Sequence, residues 1–333
     1  MTPDAERRAA VRETGERGHD AESCPLPRRA TRLFCLVGPT ATGKTAIAVR
    51  ILERMQGTIV SADARQVYRF LDIGTSKPSP DLGQRVAFAM IDLITPEQRY
   101  SAADFARDAR TVVRGLLARH VPFMLVGGSG LYLKALFQPF FNLPPGAETL
   151  RTALVRLPTA ELYQELEAID PETARRLHPH DRQRIMRALE VFEATGRTLT
   201  QFRTEPGAPP EFEPIYVGLD FPRTVLRRRI ETRFDEMIAR GLKEEVSHLT
   251  RMGYDTQVPA LNAIGYREIV EHLNGRLTLE EAVNTAKRRS LAYAKRQMTW
   301  FRHQPGIVWI DAQDREFAFT QVERLFRQSL AGT

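Results

Sequence analysis

Five short apolar runs punctuate the chain, at residues 33–37, 58–61, 87–94, 122–126 and 214–219. Each has the length of a strand buried on both faces. After the first run, Ile47, Ile51 and Met55 recur four apart, which predicts a helix within residues 41–55. Residues 102–119 predict another. Short apolar strands alternating with helices predict an α/β fold: a parallel sheet with helices on both faces, because each parallel crossover lays a helix over the sheet. The pattern changes between Pro144 and Pro214. Residues 159–168 and 181–195 have helical spacing, no strand is evident, and turn-rich NLPPGA (142–147) and EPGAPPEFEP (205–214) flank the segment. A helical insertion at 144–213 is therefore expected within a core built from 31–143 and 214–333. Residues 224–303 again read as mostly helical.

Composition narrows the class. The 333 residues are 42% hydrophobic and 27% charged, enough for one large domain and a smaller one. No apolar run approaches the ~20 residues of a membrane span. Cys24 and Cys35 are the two cysteines, too few for a disulfide framework and not spaced as CxxC, so a reducing cytoplasmic location is expected. Net charge is +7. Residues 1–30 hold six arginines and six acids, so this tail is neutral and the surplus lies beyond it. Its lack of apolar periodicity predicts disorder, and its acids argue against a transit peptide. A basic body points to a polyanionic partner.

Residues 38–45 read GPTATGKT and follow the first predicted strand, the pattern of a phosphate-binding loop. Gly38 and Gly43 let the backbone wrap phosphate oxygens, with Pro39, Thr40, Ala41 and Thr42 forming the turn between them. Lys44 supplies positive charge, and the Thr45 hydroxyl is a candidate ligand for Mg²⁺. Such a loop reads phosphate and not base, so nucleotide kinases, NTPases and enzymes of other pyrophosphate esters stay open. Ligands in open parallel sheets bind beyond the carboxyl ends of strands. The second strand ends in SADARQVY (61–68), followed by IGTSKP at 73–78; the fourth ends in GGSGLY (127–132). Asp63 would sit beside the phosphate loop, and Ser129 would offer a hydroxyl among glycines.

GPTATGKT, SADARQVY with IGTSKP, and VGGSGLY, in that order, resemble the tRNA dimethylallyltransferases. The resemblance continues through LHPHDRQRIMRALEVFEATG (177–196), RRRIETRFDEMIARG (227–241), NAIGYRE (262–268) and KRQMTWFR (295–302). It covers about residues 32–305. It implies a P-loop NTPase-like core and transfer of a dimethylallyl group from dimethylallyl pyrophosphate to N6 of the adenosine 3′ of the anticodon, with Mg²⁺ as cofactor and pyrophosphate released. It further implies that Asp63 is the general base, that Arg229 and Arg233 clamp the pyrophosphate, and that Ser129 bonds adenine or pyrophosphate. Ser129 stands where the family commonly has threonine, and Ala64 where many members have serine, so a hydroxyl contact at 64 does not carry over.

Three separated basic blocks match tRNA-contacting segments of that family: Gln183, Arg184, Ile185, Met186 and Arg187; Asn262, Ala263, Ile264, Gly265, Tyr266 and Arg267; and Lys295, Arg296, Gln297, Met298, Thr299, Trp300, Phe301 and Arg302. Asp63, Ala64, Arg65 and Gln66 would meet the target adenosine, Gln66 through a carboxamide able to pair with N6 and N7. Arg289, Tyr293, Arg296 and Trp300 fall on one helical face, as a basic and aromatic stripe for phosphates and splayed bases. Tyr293 and Trp300 could equally be core, with the basic groups merely solvated. His178 and His180 with Asp181 crowd too closely for a closed metal site and read as a structural or RNA-facing turn. The expected enzyme is monomeric, with tRNA and the allylic donor as partners. A P-loop kinase and an adenylate isopentenyltransferase acting on free nucleotides are the competing enzymes; a non-enzymatic RNA-binding module would leave the phosphate loop and Asp63 unexplained.

Overall fold

The computed structural model describes residues 30–138, 148–204 and 209–331. Apart from Ala30, the tail expected to be disordered lies outside the described residues, as do the NLPPGA turn and residues 205–208.

Six parallel strands form one sheet: β1 (Thr31–Val37), β2 (Thr58–Ala62), β3 (Ala87–Ala89), β4 (Phe123–Gly127), β5 (Phe212–Asp220) and β6 (Val308–Asp311), in the order β3-β2-β4-β1-β5-β6. Strand alternation separates two cores. Leu33, Cys35 and Val37 of β1 point into one, Phe34 and Leu36 into the other. The second core is covered by α1 (Lys44–Glu53), through Ile51 and Leu52, and by a long final helix through Phe319, Val322 and Phe326. Phe326 meets Phe34 edge to face at 5.2 Å.

Between α1 and β4 lie α2 (Pro80–Arg85) and α3 (Ala102–Ala118). A reciprocal Ser101/Asp104 capping box fixes the start of α3, which buries Phe105, Ala109 and Val113 against the first core. α4 (Gly130–Phe137) follows β4 directly. Then come α5 (Glu148–Leu154), α6 (Thr159–Ile169), α7 (Pro171–Arg176), α8 (Arg182–Thr195) and α9 (Leu199–Thr204). Leu154, Leu162, Leu166, Ala174, Ile185 and Leu189 of α5 to α8 build an apolar cluster of their own. After β5 the chain runs through α10 (Arg223–Ala239), α11 (Leu242–Arg251), α12 (Tyr266–Leu273), the 24-residue α13 (Leu279–Arg302), β6 and α14 (Arg315–Ala331).

Two expectations change. β3 stops at Ala89 instead of running to 94, because Met90 and Asp92 have φ of 65° and 55° and turn the chain away. A single bridge between Tyr68 and Ile94 is what remains of that pairing. β6 was not anticipated; it is four residues long and only Ile310 is buried, so its apolar pattern is weak. No helix among the described residues is long and apolar enough to cross a membrane.

Candidate active site

Register brings the motifs together. Val37 pairs with Gly127, and Gly127 with Ala62, so β1, β4 and β2 end level. The residues that follow, the phosphate loop, Ser129 and Asp63, therefore emerge at one edge of the sheet. Residues of the phosphate loop, Asp63 and the β4-end glycines Gly127 and Gly128 line a cavity of about 1090 Å³, while Ser129 is buried just behind that wall.

Gly43 is the N-cap of α1, at φ 86° in the left-handed region, and no side chain caps the helix. No side chain accepts from the first-turn N–H groups of α1, which face the direction in which a helix N-terminus binds anions, whereas Ser101 and Thr278 each accept one such N–H in α3 and α13. Within the loop, Thr42 Oγ1 donates to Pro39 O at 2.9 Å and Lys44 Nζ to the same carbonyl at 2.7 Å. Burial lowers the Lys44 ammonium to about 7; Arg233 adds to the fall and Asp63 opposes it.

α10 closes the loop from outside. Arg233 donates from Nη1 to Thr40 Oγ1 at 2.6 Å and from Nε to Ser76 Oγ at 3.0 Å. One turn earlier, Arg229 donates from Nε to Ala41 O at 2.7 Å and lies over the Phe221 ring, 4.7 Å from its centroid. Burial pulls both guanidinium groups below their ordinary range. Asp63 Oδ1 accepts from the Arg65 amide at 2.8 Å, and its charge is felt by Lys44 and Arg233. Ser129 Oγ accepts from Ala64 N at 2.9 Å, linking the β2 and β4 loops. Thr45 is exposed in the cavity wall. Among the described residues no group of three or more His, Cys, Asp or Glu is gathered for a metal. The Thr45 hydroxyl is an oxygen donor of the kind Mg²⁺ takes beside phosphate oxygens and water.

Several expected RNA contacts are corrected. Gln66 spends its carboxamide inside the protein: Oε1 accepts from Ser61 Oγ at 2.8 Å and Nε2 donates to Thr75 O and Ser76 O at 3.2 Å. It props the 73–78 loop and does not present a free edge to adenine. Ile185 and Met186 are buried in the helical cluster of α5 to α8, and Ala263, Tyr266 and Phe301 in the main core. Gly265 is buried as well. Their neighbours Gln183, Arg184, Asn262, Arg267, Lys295, Arg296, Thr299 and Arg302 are exposed. The stripe on α13 also divides. Arg289 is tied to buried Glu268, and Trp300 packs on the core and on Phe301. Gln297 is buried and bonded to the phosphate loop. Arg289, Tyr293 and Arg296 line the cavity, as does Gln297, whereas Trp300 does not. The His178–Asp181 turn is held locally, His180 N donating to His178 Nδ1 and Asp181 capping α8. The sequence reading missed Arg228 and Arg315, which also line the cavity; Arg315 lies in a helix that no motif marks.

Residues 66–304 match the IPP transferase family. A tRNA dimethylallyltransferase 2 of Geotalea uraniireducens is 47% identical over 285 residues, covering 84% of this chain and 92% of its own. A tRNA dimethylallyltransferase of Caldanaerobacter subterraneus is 38% identical, covering 91% and 98%. Among solved structures, the full-length tRNA isopentenylpyrophosphate transferase of Bacillus halodurans aligns with a TM-score of 0.67 at 33% identity, over 91% of this chain and 97% of its own. A eukaryotic dimethylallyltransferase acting on tRNA aligns at 0.81 and 22% identity, over 91% and 80%, and bears on the fold alone. With a family match across most of its length and relatives this similar, the chain belongs to the IPP transferase family.

Proposed function

We propose that this protein transfers a dimethylallyl group from dimethylallyl pyrophosphate to N6 of the adenosine 3′ of the tRNA anticodon. The observation that carries the reading is a single cavity. It joins an uncapped phosphate loop, Asp63 and two inward arginines to the exposed basic face of α13. The pyrophosphate lies on the first turn of α1, against Lys44, with Arg229 and Arg233 on its far side. These charges stabilise the negative charge that grows as the allylic C–O bond breaks. The adenosine, swung out of its loop, offers N6 to the allylic carbon while Asp63 takes the N6 proton. Asp63 has one oxygen fixed by the Arg65 amide, which orients the carboxylate without consuming the other. Mg²⁺, held by Thr45 and the pyrophosphate, would supply further neutralisation of the leaving group.

Exposed Arg184 and Gln183 on α8, Asn262 in the turn before α12, Arg267 at its start, and Lys295, Arg296 and Arg302 on α13 are the proposed RNA surface. The insertion, expected at 144–213 but ending by the structure before β5 begins at Phe212, is assigned to tRNA binding as a separate domain; the apolar cluster of α5 to α8 supports that division. Incubation with labelled dimethylallyl pyrophosphate, Mg²⁺ and either an anticodon stem-loop or AMP tests the reading. Label should enter the RNA. Label entering AMP alone would make the protein an adenylate prenyltransferase. Phosphate transfer from ATP without prenylation would make it a kinase.

A further inference from the structure

We infer that Gln297 is a positioning residue that fixes the phosphate loop from the RNA-facing helix α13. The inference rests on the reading above, because it concerns the site where the pyrophosphate binds.

Three side chains one turn apart on α13 meet the loop between β4 and α4. Tyr293 lies beside the Ser129 side chain. Gln297 donates from Nε2 to Gly128 O at 3.0 Å. Trp300 covers Gly130 so closely that a Cβ there would lie 2.3 Å from its ring. Gln297 alone reaches further. Its Oε1 accepts from the Thr40 amide at 3.1 Å, across a separation of 257 residues. Gln297 is 7% exposed and both ends of its carboxamide are satisfied.

The bond to Thr40 has a consequence for the loop. An amide that could face a phosphate is instead held by α13, while the Thr40 hydroxyl is held by Arg233 of α10. Thr40 is therefore pinned from two helices, and contacts within the protein itself set the loop between it and Gly43. Prior positioning of donors is what makes an anion site effective, since no reorganisation is then needed as charge develops. The exposed face of the same helix carries Lys295, Arg296, Thr299 and Arg302. Gln297 thus ties the proposed RNA surface to the pyrophosphate site.

Gln297→Met keeps the side-chain length and removes both bonds. Folding, checked by circular dichroism, should be retained. Anticodon stem-loop affinity should stay within about twofold. Inorganic pyrophosphate binding, measured by calorimetry, should weaken about tenfold, and kcat should fall about ten- to hundredfold, the scale of a misplacement near 1 Å. Gly128→Ala supplies a second route, because its Cβ would stand 2.1 Å from Gln297 Nε2 and push the carboxamide away. Its effect on pyrophosphate binding should largely vanish in a Gln297→Met background. Unchanged pyrophosphate affinity in folded Gln297→Met, or a loss confined to RNA binding, overturns the inference. Should Gln297→Met fail to fold, Gln297→Asn, too short to span both partners, takes its place with the same expected losses. Absence of prenyl transfer by the unaltered protein would count against the proposed function, whereas the pyrophosphate measurement judges Gln297 in either case.

Discussion

Arg233 Nη1 donates to Thr40 Oγ1 at 2.6 Å, joining two residues 193 apart in sequence. The bond sets a guanidinium inside the wall of the phosphate loop, where burial depresses its pKa. A buried cation with few counter-charges is costly, and a bound dianion offsets that cost. Arg233→Ala should lower kcat/KM by about 10²–10³. Arg233→Lys restores the charge but lacks the fork that reaches Ser76 and Thr40 together, so it should recover only part of the loss. Steady-state kinetics with varied allylic donor check this; a defect confined to RNA affinity would contradict the assignment.

Asp63 stands where β2 ends, level with the phosphate loop. If it takes the N6 proton, Asp63→Ala should reduce turnover by about two orders of magnitude or more. Anticodon stem-loop affinity should change by less than about threefold. Single-turnover transfer and equilibrium RNA binding, measured on the same preparation, separate the two. Near-normal turnover would remove Asp63 from the chemistry.

Lys44 makes donor binding depend on pH. Its pKa is lowered to about 7 in the free protein, chiefly by burial, and an adjacent pyrophosphate would raise it. Below pH 7 the ammonium is already charged and this group gives no slope. Above 7, binding must take up a proton, so affinity should fall by up to about tenfold per pH unit until the bound-state pKa is reached. Pyrophosphate titrates too, so the comparison is with Lys44→Met, whose profile should lack this component. Calorimetry in two buffers of different ionisation enthalpy reads the proton uptake directly. The folding linkage has a definite sign as well. Between about 7 and the ordinary 10.5 the unfolded chain holds a proton that the folded chain does not, so this group's contribution to stability grows as pH rises through that window.

How much of this was legible in the sequence depends on what each residue's signal reports. The phosphate loop and the position of Asp63 followed from motif and from strand ends, because register in a parallel sheet leaves little choice. The roles of α13 were only half legible. Periodicity put Arg289, Tyr293, Arg296 and Trp300 on one face, but it could not tell what faces them. Glu268, which holds Arg289, and Gly130, which receives Trp300, come from distant segments. Gln297 stands in the sequence only as a member of the expected tRNA-contacting block 295–302, since nothing local announces that its partners are Thr40 and Gly128. Arg315 carried no signal; it reaches the cavity because β6 returns the chain to the sheet edge beside β5.

The division of α13 gives the last prediction, which separates packing from RNA binding on one helix. Trp300 leans on the core and meets the Phe301 ring edge to face at 4.8 Å. Its indole fills the space left by Gly130 and is not free to stack on a base. Trp300→Ala should therefore lower stability by ~3 kcal/mol, near the low end for aromatic truncations because the ring is only partly buried. RNA affinity, measured well below the melting transition, should change little. Arg296 is exposed at the cavity wall, with the Tyr293 ring 5.7 Å from its guanidinium carbon. Arg296→Ala should leave melting within about 0.5 kcal/mol. It should also weaken anticodon stem-loop binding and flatten the log–log salt dependence by about one unit, the signature of one lost phosphate contact. Thermal melts and a salt titration of RNA affinity on the two variants decide the matter. If Trp300→Ala melted like the parent protein and lost RNA binding, or if Arg296→Ala left the salt slope intact, the division of this helix into a packed face and an RNA face would be wrong.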